Sequence, residues 1–111
     1  MIDYLFVCSA NLQRSPTAEH VARMMGYRAL SAGSVPYYNP VQRLTPELIA
    51  GAEHIVCMEA HHAEAVHALS PPHVIALIEV WDIPDDFQYC DPQLITLFTE
   101  LIKRNDYPKP R

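Results

Sequence analysis

Cys8 and Arg14 stand with five residues between them, in the run Cys8-Ser9-Ala10-Asn11-Leu12-Gln13-Arg14-Ser15-Pro16. A thiol, a guanidinium and a helix start at that spacing make an oxyanion cradle. The loop's backbone N–H groups converge on one anion, and the helix start adds its positive dipole end. The planar fork of Arg14 matches two oxygens of a phosphate. Thiolate is the nucleophilic form of cysteine, and a helix N-terminus and an arginine both favour it. Attack by Cys8 on a phosphoryl group gives a phosphocysteine that water then hydrolyses. The backbone of Ser9, Ala10, Asn11, Leu12 and Gln13, with Arg14, supplies positioning and charge stabilisation, so this chemistry requires no metal and no cofactor. Ser15 stands where it can donate to the sulfur as it leaves. Asn11 tolerates left-handed backbone and can tie the loop with its amide.

The leaving group needs a proton, for which a carboxylic acid serves. The segment Trp81-Asp82-Ile83-Pro84-Asp85-Asp86 follows an apolar run and supplies three aspartates. Asp82 ranks first as the acid because it comes directly off that run, Asp85 second, and Asp86 reads as a surface charge. Tyr37 and Tyr38, and equally Trp81, offer either a wall for an aromatic substrate or packing for their own loops. His61, His62 and His67 lack the i, i+4 ligand pair of a zinc helix, so they read as an exposed polar face. Cys57 sits in an apolar run and reads as a core thiol. Cys90, in a polar segment, reads as partly exposed.

The elements that must carry these residues follow from periodicity. Ile2–Cys8 is a near-continuous apolar run, as a strand buried on both faces requires. Ser15 offers an N-cap, Pro16 the first helical position and Glu19 a first-turn anion. Ala18, Val21, Ala22 and Met25 give that helix one apolar stripe, and Gly26 ends it. Tyr27–Ser31 reads as a second strand, and residues 34–44, with Pro36 and Pro40, as a surface loop. Thr45-Pro46-Glu47 opens a short helix to about Ala52. His54–Met58 is a third strand, Glu59–Leu69 a helix stopped by Ser70-Pro71-Pro72, and His73–Ile78 a fourth strand. Asp91 and Pro92 start a last helix whose stripe is Leu94, Leu97, Phe98, Leu101 and Ile102. The Pro-rich tail from about Asn105, with Tyr107, is expected to fray. Alternating strands and helices imply a parallel sheet with ligands at the carboxyl ends of its strands, which is where the Cys8 loop emerges.

At 111 residues the chain is sized for one domain, residues 1–111. Its net charge of −5 with no basic stripe argues against nucleic acid as a partner. No stretch reaches the roughly 18 apolar residues of a membrane span. Met1 leads straight into a strand-like run without a signal-peptide pattern, so a cytoplasmic protein is expected. The three cysteines are irregularly spaced, which fits neither a disulfide framework nor a zinc site.

The stretch Leu5-Phe6-Val7-Cys8 through Arg14-Ser15-Pro16-Thr17-Ala18-Glu19 resembles the signature of the low-molecular-weight protein tyrosine phosphatases. That signature is an apolar strand, then Cys, x, Gly, Asn, x, Cys, Arg, Ser, Pro, x, Ala, Glu. Ser31-Ala32-Gly33 is similar to the Ser-Ala-Gly after the family's second strand. Ile55-Val56-Cys57-Met58-Glu59 is similar to its strand ending in Met-Asp or Met-Glu. The resemblance implies a three-layer α/β sandwich, with a four-stranded parallel sheet in the order 2-1-3-4 and helices on both faces. It implies a phosphatase for a phosphate ester or phosphoprotein, phosphotyrosine foremost. Cys8 is then the nucleophile, Arg14 binds the transition state, Asp82 is the acid and Ser31 supports Asn11. Three departures stand out: the family's Asp-Pro pair is here Asp82-Ile83-Pro84, Gln13 replaces the second loop cysteine, and Ala10 replaces a glycine. Two other readings fit such a loop. One is a phosphate-binding or phosphocarrier module with little turnover. The other is a thiol-dependent arsenate reductase, for which Cys57 and Cys90 would have to act as resolving thiols.

Overall fold

A computed structural model describes residues 1–74 and 76–105; the expected fraying of the tail beyond Asn105, and Tyr107 with it, lies outside the described residues. In chain order the elements are β1 (Ile2–Cys8), α1 (Arg14–Met24), β2 (Ala29–Gly33), a 3-10 turn (Pro36–Tyr38), α2 (Pro46–Ala50), β3 (Ala52–Cys57), α3 (Ala60–Leu69), β4 (Leu77–Val80) and α4 (Pro92–Arg104). The four strands form one parallel sheet in the order β2-β1-β3-β4. This is the expected sandwich.

Side chains alternate across a strand, and β1 uses both faces. Tyr4, Phe6 and Cys8 join Ala18, Val21 and Ala22 of α1 and Leu94, Phe98 and Ile102 of α4 in one core. Leu5 and Val7 join Ile49 of α2 and Val66 of α3, with Ile55 and Cys57 of β3, in the other. Residues 4 to 7 of β1 are fully shielded from solvent, and each such large apolar side chain contributes about 1.5–3 kcal/mol by burial. The strand that delivers Cys8 is therefore the most firmly held part of the sheet. No helix among the described residues is long and apolar enough to cross a membrane.

Several boundaries differ from the sequence pattern for local reasons. The second strand is Ala29–Gly33 rather than Tyr27–Ser31, because the chain turns through Met25 and Gly26 and enters the sheet only at Ala29. Gly26 is left-handed (φ 94°), Tyr27 N donates to Ala22 O, and the buried Asp3 carboxylate accepts from Arg28 N at 2.8 Å. The fourth strand is Leu77–Val80 rather than His73–Ile78; Pro71, Pro72 and a left-handed His73 (φ 73°) delay it. The first helix starts at Arg14, with Gln13 and not Ser15 at the cap position. Glu19 consequently lies beyond the first turn, which holds no acidic residue. The caps expected at Thr45 and Asp91 are present: Thr45 Oγ1 accepts from Leu48 N, and Asp91 Oδ1 from Gln93 N.

Candidate active site

Cys8 ends β1 and is buried. The chain leaving β2 fixes the loop after it: Ser34 N donates to Cys8 O at 2.9 Å and Val35 N to Ser9 O at 3.1 Å. That close approach needs Gly33, because a Cβ there would meet Ser9 O at 2.9 Å and overlap Pro40.

Asn11 is the keystone of the loop. It takes the left-handed conformation (φ 56°), so Ala10 does without a glycine's freedom. Its Nδ2 donates to Ser15 Oγ at 3.0 Å and to Ser31 Oγ at 2.9 Å. Its Oδ1 accepts from Gln42 N at 3.0 Å. Ser15 Oγ already accepts from Asn11, so its own hydrogen is free for Cys8 Sγ, 2.9 Å away. Ser31 Oγ likewise accepts from Asn11 and donates to Glu19 Oε1 at 2.7 Å. Glu19 pairs with Arg23 at 3.2 Å. A thiolate at Cys8 can only accept, so in that form the sulfur receives the Ser15 hydrogen. Ser15 serves here as the expected sulfur partner instead of a helix cap.

Arg14 is almost completely buried, and the loops after β3 and β4 hold it. Its Nη1 donates to Glu59 Oε2 at 2.5 Å and to Ile83 O at 2.8 Å, and its Nε lies 3.6 Å from Asp85 Oδ1. The hydrogen bond from Arg14 holds the Glu59 carboxyl below the usual range, outweighing its desolvation.

These groups open onto one cleft of about 370 Å³, lined by Cys8, Ser9, Ala10, Leu12, Gln13, Arg14, Tyr38 and Asp85. Asp82, ranked first by sequence order, is not among the lining residues. It stands by a separate small cavity with Glu59, Ile83 and Pro84. The cause is Ile83, which is 2% exposed in the core and turns its carbonyl to Arg14. Only beyond Pro84 does the chain reach the cleft, at Asp85. Asp86 is a surface charge as expected. Of the tyrosine pair, Tyr38 walls the cleft. Tyr37 is 79% exposed and rests edge-on against Tyr38 at 4.7 Å.

Cys57 is a core thiol, pushed up to about 12 by burial. Cys90 is partly exposed, and its N–H donates to Thr17 Oγ1 at 2.8 Å. This bond ties the segment carrying Asp85 back to α1.

The exposed polar face expected on α3 is corrected at one position. His61 and His67 are exposed, but His62 is fully buried. Its Nδ1 accepts from Glu59 N at 3.0 Å, and its Nε2 lies 2.9 Å from Ser9 Oγ. Glu59 on Arg14 and His62 on Ser9 are the contacts to the loop that the residue pattern misses. The available signal is the three-residue spacing of Glu59 and His62 across a helix start, the interval of a cap and its reciprocal partner. Glu59, His61 and His62 also bring ligand-type atoms within 4.8 Å of one another. Both ring nitrogens of His62 and the Glu59 carboxylate already have protein partners, so this set is poorly suited to a metal.

No protein-family model and no curated protein matches the chain. Solved structures do match it over nearly its whole length. Wzb of Vibrio vulnificus, in complex with benzylphosphonate, is 23% identical with a TM-score of 0.66, covering 94% of this chain and 94% of its own. The tyrosine phosphatase AmsI of Erwinia amylovora is 20% identical with a TM-score of 0.68, covering 98% of this chain and 95% of its own. A low-molecular-weight phosphotyrosine phosphatase of Vibrio cholerae O395 is 19% identical with a TM-score of 0.67, covering 93% of this chain and 90% of its own. The chain has the fold of the low-molecular-weight tyrosine phosphatases.

Proposed function

We propose that this chain is a metal-free, cysteine-dependent phosphomonoesterase acting on aryl phosphates of the phosphotyrosine kind. The observation that carries the reading is one cleft holding Cys8, Arg14 and Asp85, with a hydroxyl donor on the sulfur. Cys8 attacks phosphorus in line with the ester oxygen. Arg14 and the backbone N–H groups of the loop take the charge on the non-bridging oxygens. Asp85 gives its proton to the departing oxygen, then takes one from the water that attacks the phosphocysteine. The sulfur leaves as a thiolate, to which Ser15 donates. Tyr38 offers a face for the aryl group, and the benzylphosphonate held by Wzb of V. vulnificus is a ligand of that shape. A phosphoprotein is the substrate class this implies. A cytoplasmic setting fits the reading, since Cys8 must remain reduced.

The test is hydrolysis of an aryl phosphate at mildly acidic pH in the presence of a chelator. Cys8→Ser abolishes turnover, Asp85→Asn lowers it by roughly 10²–10⁴-fold, and Asp82→Asn changes it by no more than a few-fold. Phosphate binding without turnover in the wild type would instead support a recognition or carrier module.

A further inference from the structure

We infer that Ser9 and His62 together add a side-chain donor to the phosphate cradle: the buried imidazole fixes the Ser9 hydroxyl so that its hydrogen is presented to the bound anion. The inference rests on the phosphatase reading and assigns His62 as a positioning residue for that site.

The protonation state of the ring follows from its partners. Glu59 N can only donate, so Nδ1, which accepts from it at 3.0 Å, carries no proton. The neutral ring then has its one hydrogen on Nε2, which donates to Ser9 Oγ at 2.9 Å. A protonated ring would set a second N–H against Glu59 N–H. Burial first, then the charges of His61 and Arg14, hold the His62 pKa down to about 4. A hydroxyl that accepts from one side keeps its own hydrogen to give. Ser9 lines the cleft beside Cys8, so the acceptor for that hydrogen is an oxygen of the anion. The N-terminal end of α3 therefore grips the cradle twice, through Glu59 on Arg14 and His62 on Ser9. A serine without the imidazole would be free to turn to water.

The test titrates inorganic phosphate by calorimetry, with aryl phosphate hydrolysis measured on the same samples. The proteins are wild type, Ser9→Ala, His62→Asn, His62→Gln and the double variant Ser9→Ala/His62→Asn. Asn keeps an acceptor for Glu59 N but stops short of Ser9, whereas Gln reaches Ser9 with a donor. Ser9→Ala and His62→Asn should each weaken phosphate binding about tenfold. The double variant should bind no more weakly than either alone, and His62→Gln should recover most of the loss. The His62 Nε2–H resonance should move on phosphate addition in wild type and stay still in Ser9→Ala. Additive losses, or a Ser9→Ala affinity equal to wild type, overturn the inference while leaving the phosphatase reading intact. If the His62 variants do not fold, Ser9→Ala and the Nε2–H resonance decide it. A wild type that neither binds phosphate nor hydrolyses the ester overturns the phosphatase reading, and this inference with it.

Discussion

Asn11 concentrates more of the site in one side chain than any other residue of the loop. It supplies the left-handed turn, both donors that orient Ser15 and Ser31, and the acceptor for Gln42 N. Asn11→Ala leaves three partners unmet in a buried place and puts a Cβ without a stabilising amide at φ 56°. A loss on the order of 2–4 kcal/mol of stability is expected, read by denaturant unfolding, with a large drop in phosphate affinity. Asn11→Gly relieves the backbone but not the bonds, and should fall between. Cys8, Asn11, Arg14 and Ser15 are legible as one cluster in the sequence because they lie within eight residues of one another between a strand and a helix, although the partners that hold Asn11 and Arg14 come from other loops. Asp85 is not: ranking by order off the strand passes over Ile83, whose burial turns Asp82 away and postpones the return to the cleft. His62 is hidden for a related reason. A histidine among histidines on a helix looks solvated until the loop it packs under is known.

At the scale of elements, the cradle is positioned by the loops after the other strands more than by its own helix. The end of β2 carries Ser34 N and Val35 N to the Cys8 and Ser9 carbonyls. The loops after β3 and β4 hold Arg14. Gly33→Ala is the sharpest probe of this support, since its Cβ has no room against Pro40 and Ser9 O. It should cost roughly 1–3 kcal/mol by overpacking and lower phosphate affinity by displacing Ser9; unchanged stability and affinity would show that the loop yields freely. The parallel sheet is readable from the alternation of strands and helices, whereas its order 2-1-3-4 follows from the family resemblance of the Cys8 loop and agrees with the structure. The edges of β2 and β4 are not readable, because a left-handed Gly26 or His73 and a carboxylate on Arg28 act through geometry that periodicity does not record.

For the molecule as a whole, acid is the condition that dismantles the site. His62 and His54 are both lowered by burial, His62 to about 4, and Glu59 is lowered by Arg14. The unfolded chain binds protons to these histidines from about pH 6.5 downward, while the folded protein does not until lower pH. Their contribution is therefore complete above pH 6.5 and is lost as pH falls toward the folded values; Glu59 adds a loss of the same sign below its own unfolded range. Stability should decline between pH 6.5 and about 4, on the order of 2 kcal/mol of it from His62 once solvent screening is allowed for. His62→Gln should flatten that slope. A wild-type unfolding midpoint that stays constant across this interval would contradict the buried neutral imidazole. The net charge of −5 gives no long-range attraction for an anionic substrate, so the affinity must come from this local cage.

The most direct measurement is acid quenching of the protein during turnover of an aryl phosphate, followed by mass analysis of its peptides. The account predicts one phosphoryl group, on the peptide carrying Cys8, absent in Cys8→Ser. Continued hydrolysis with no phosphocysteine, or with the phosphoryl group on another residue, would contradict it.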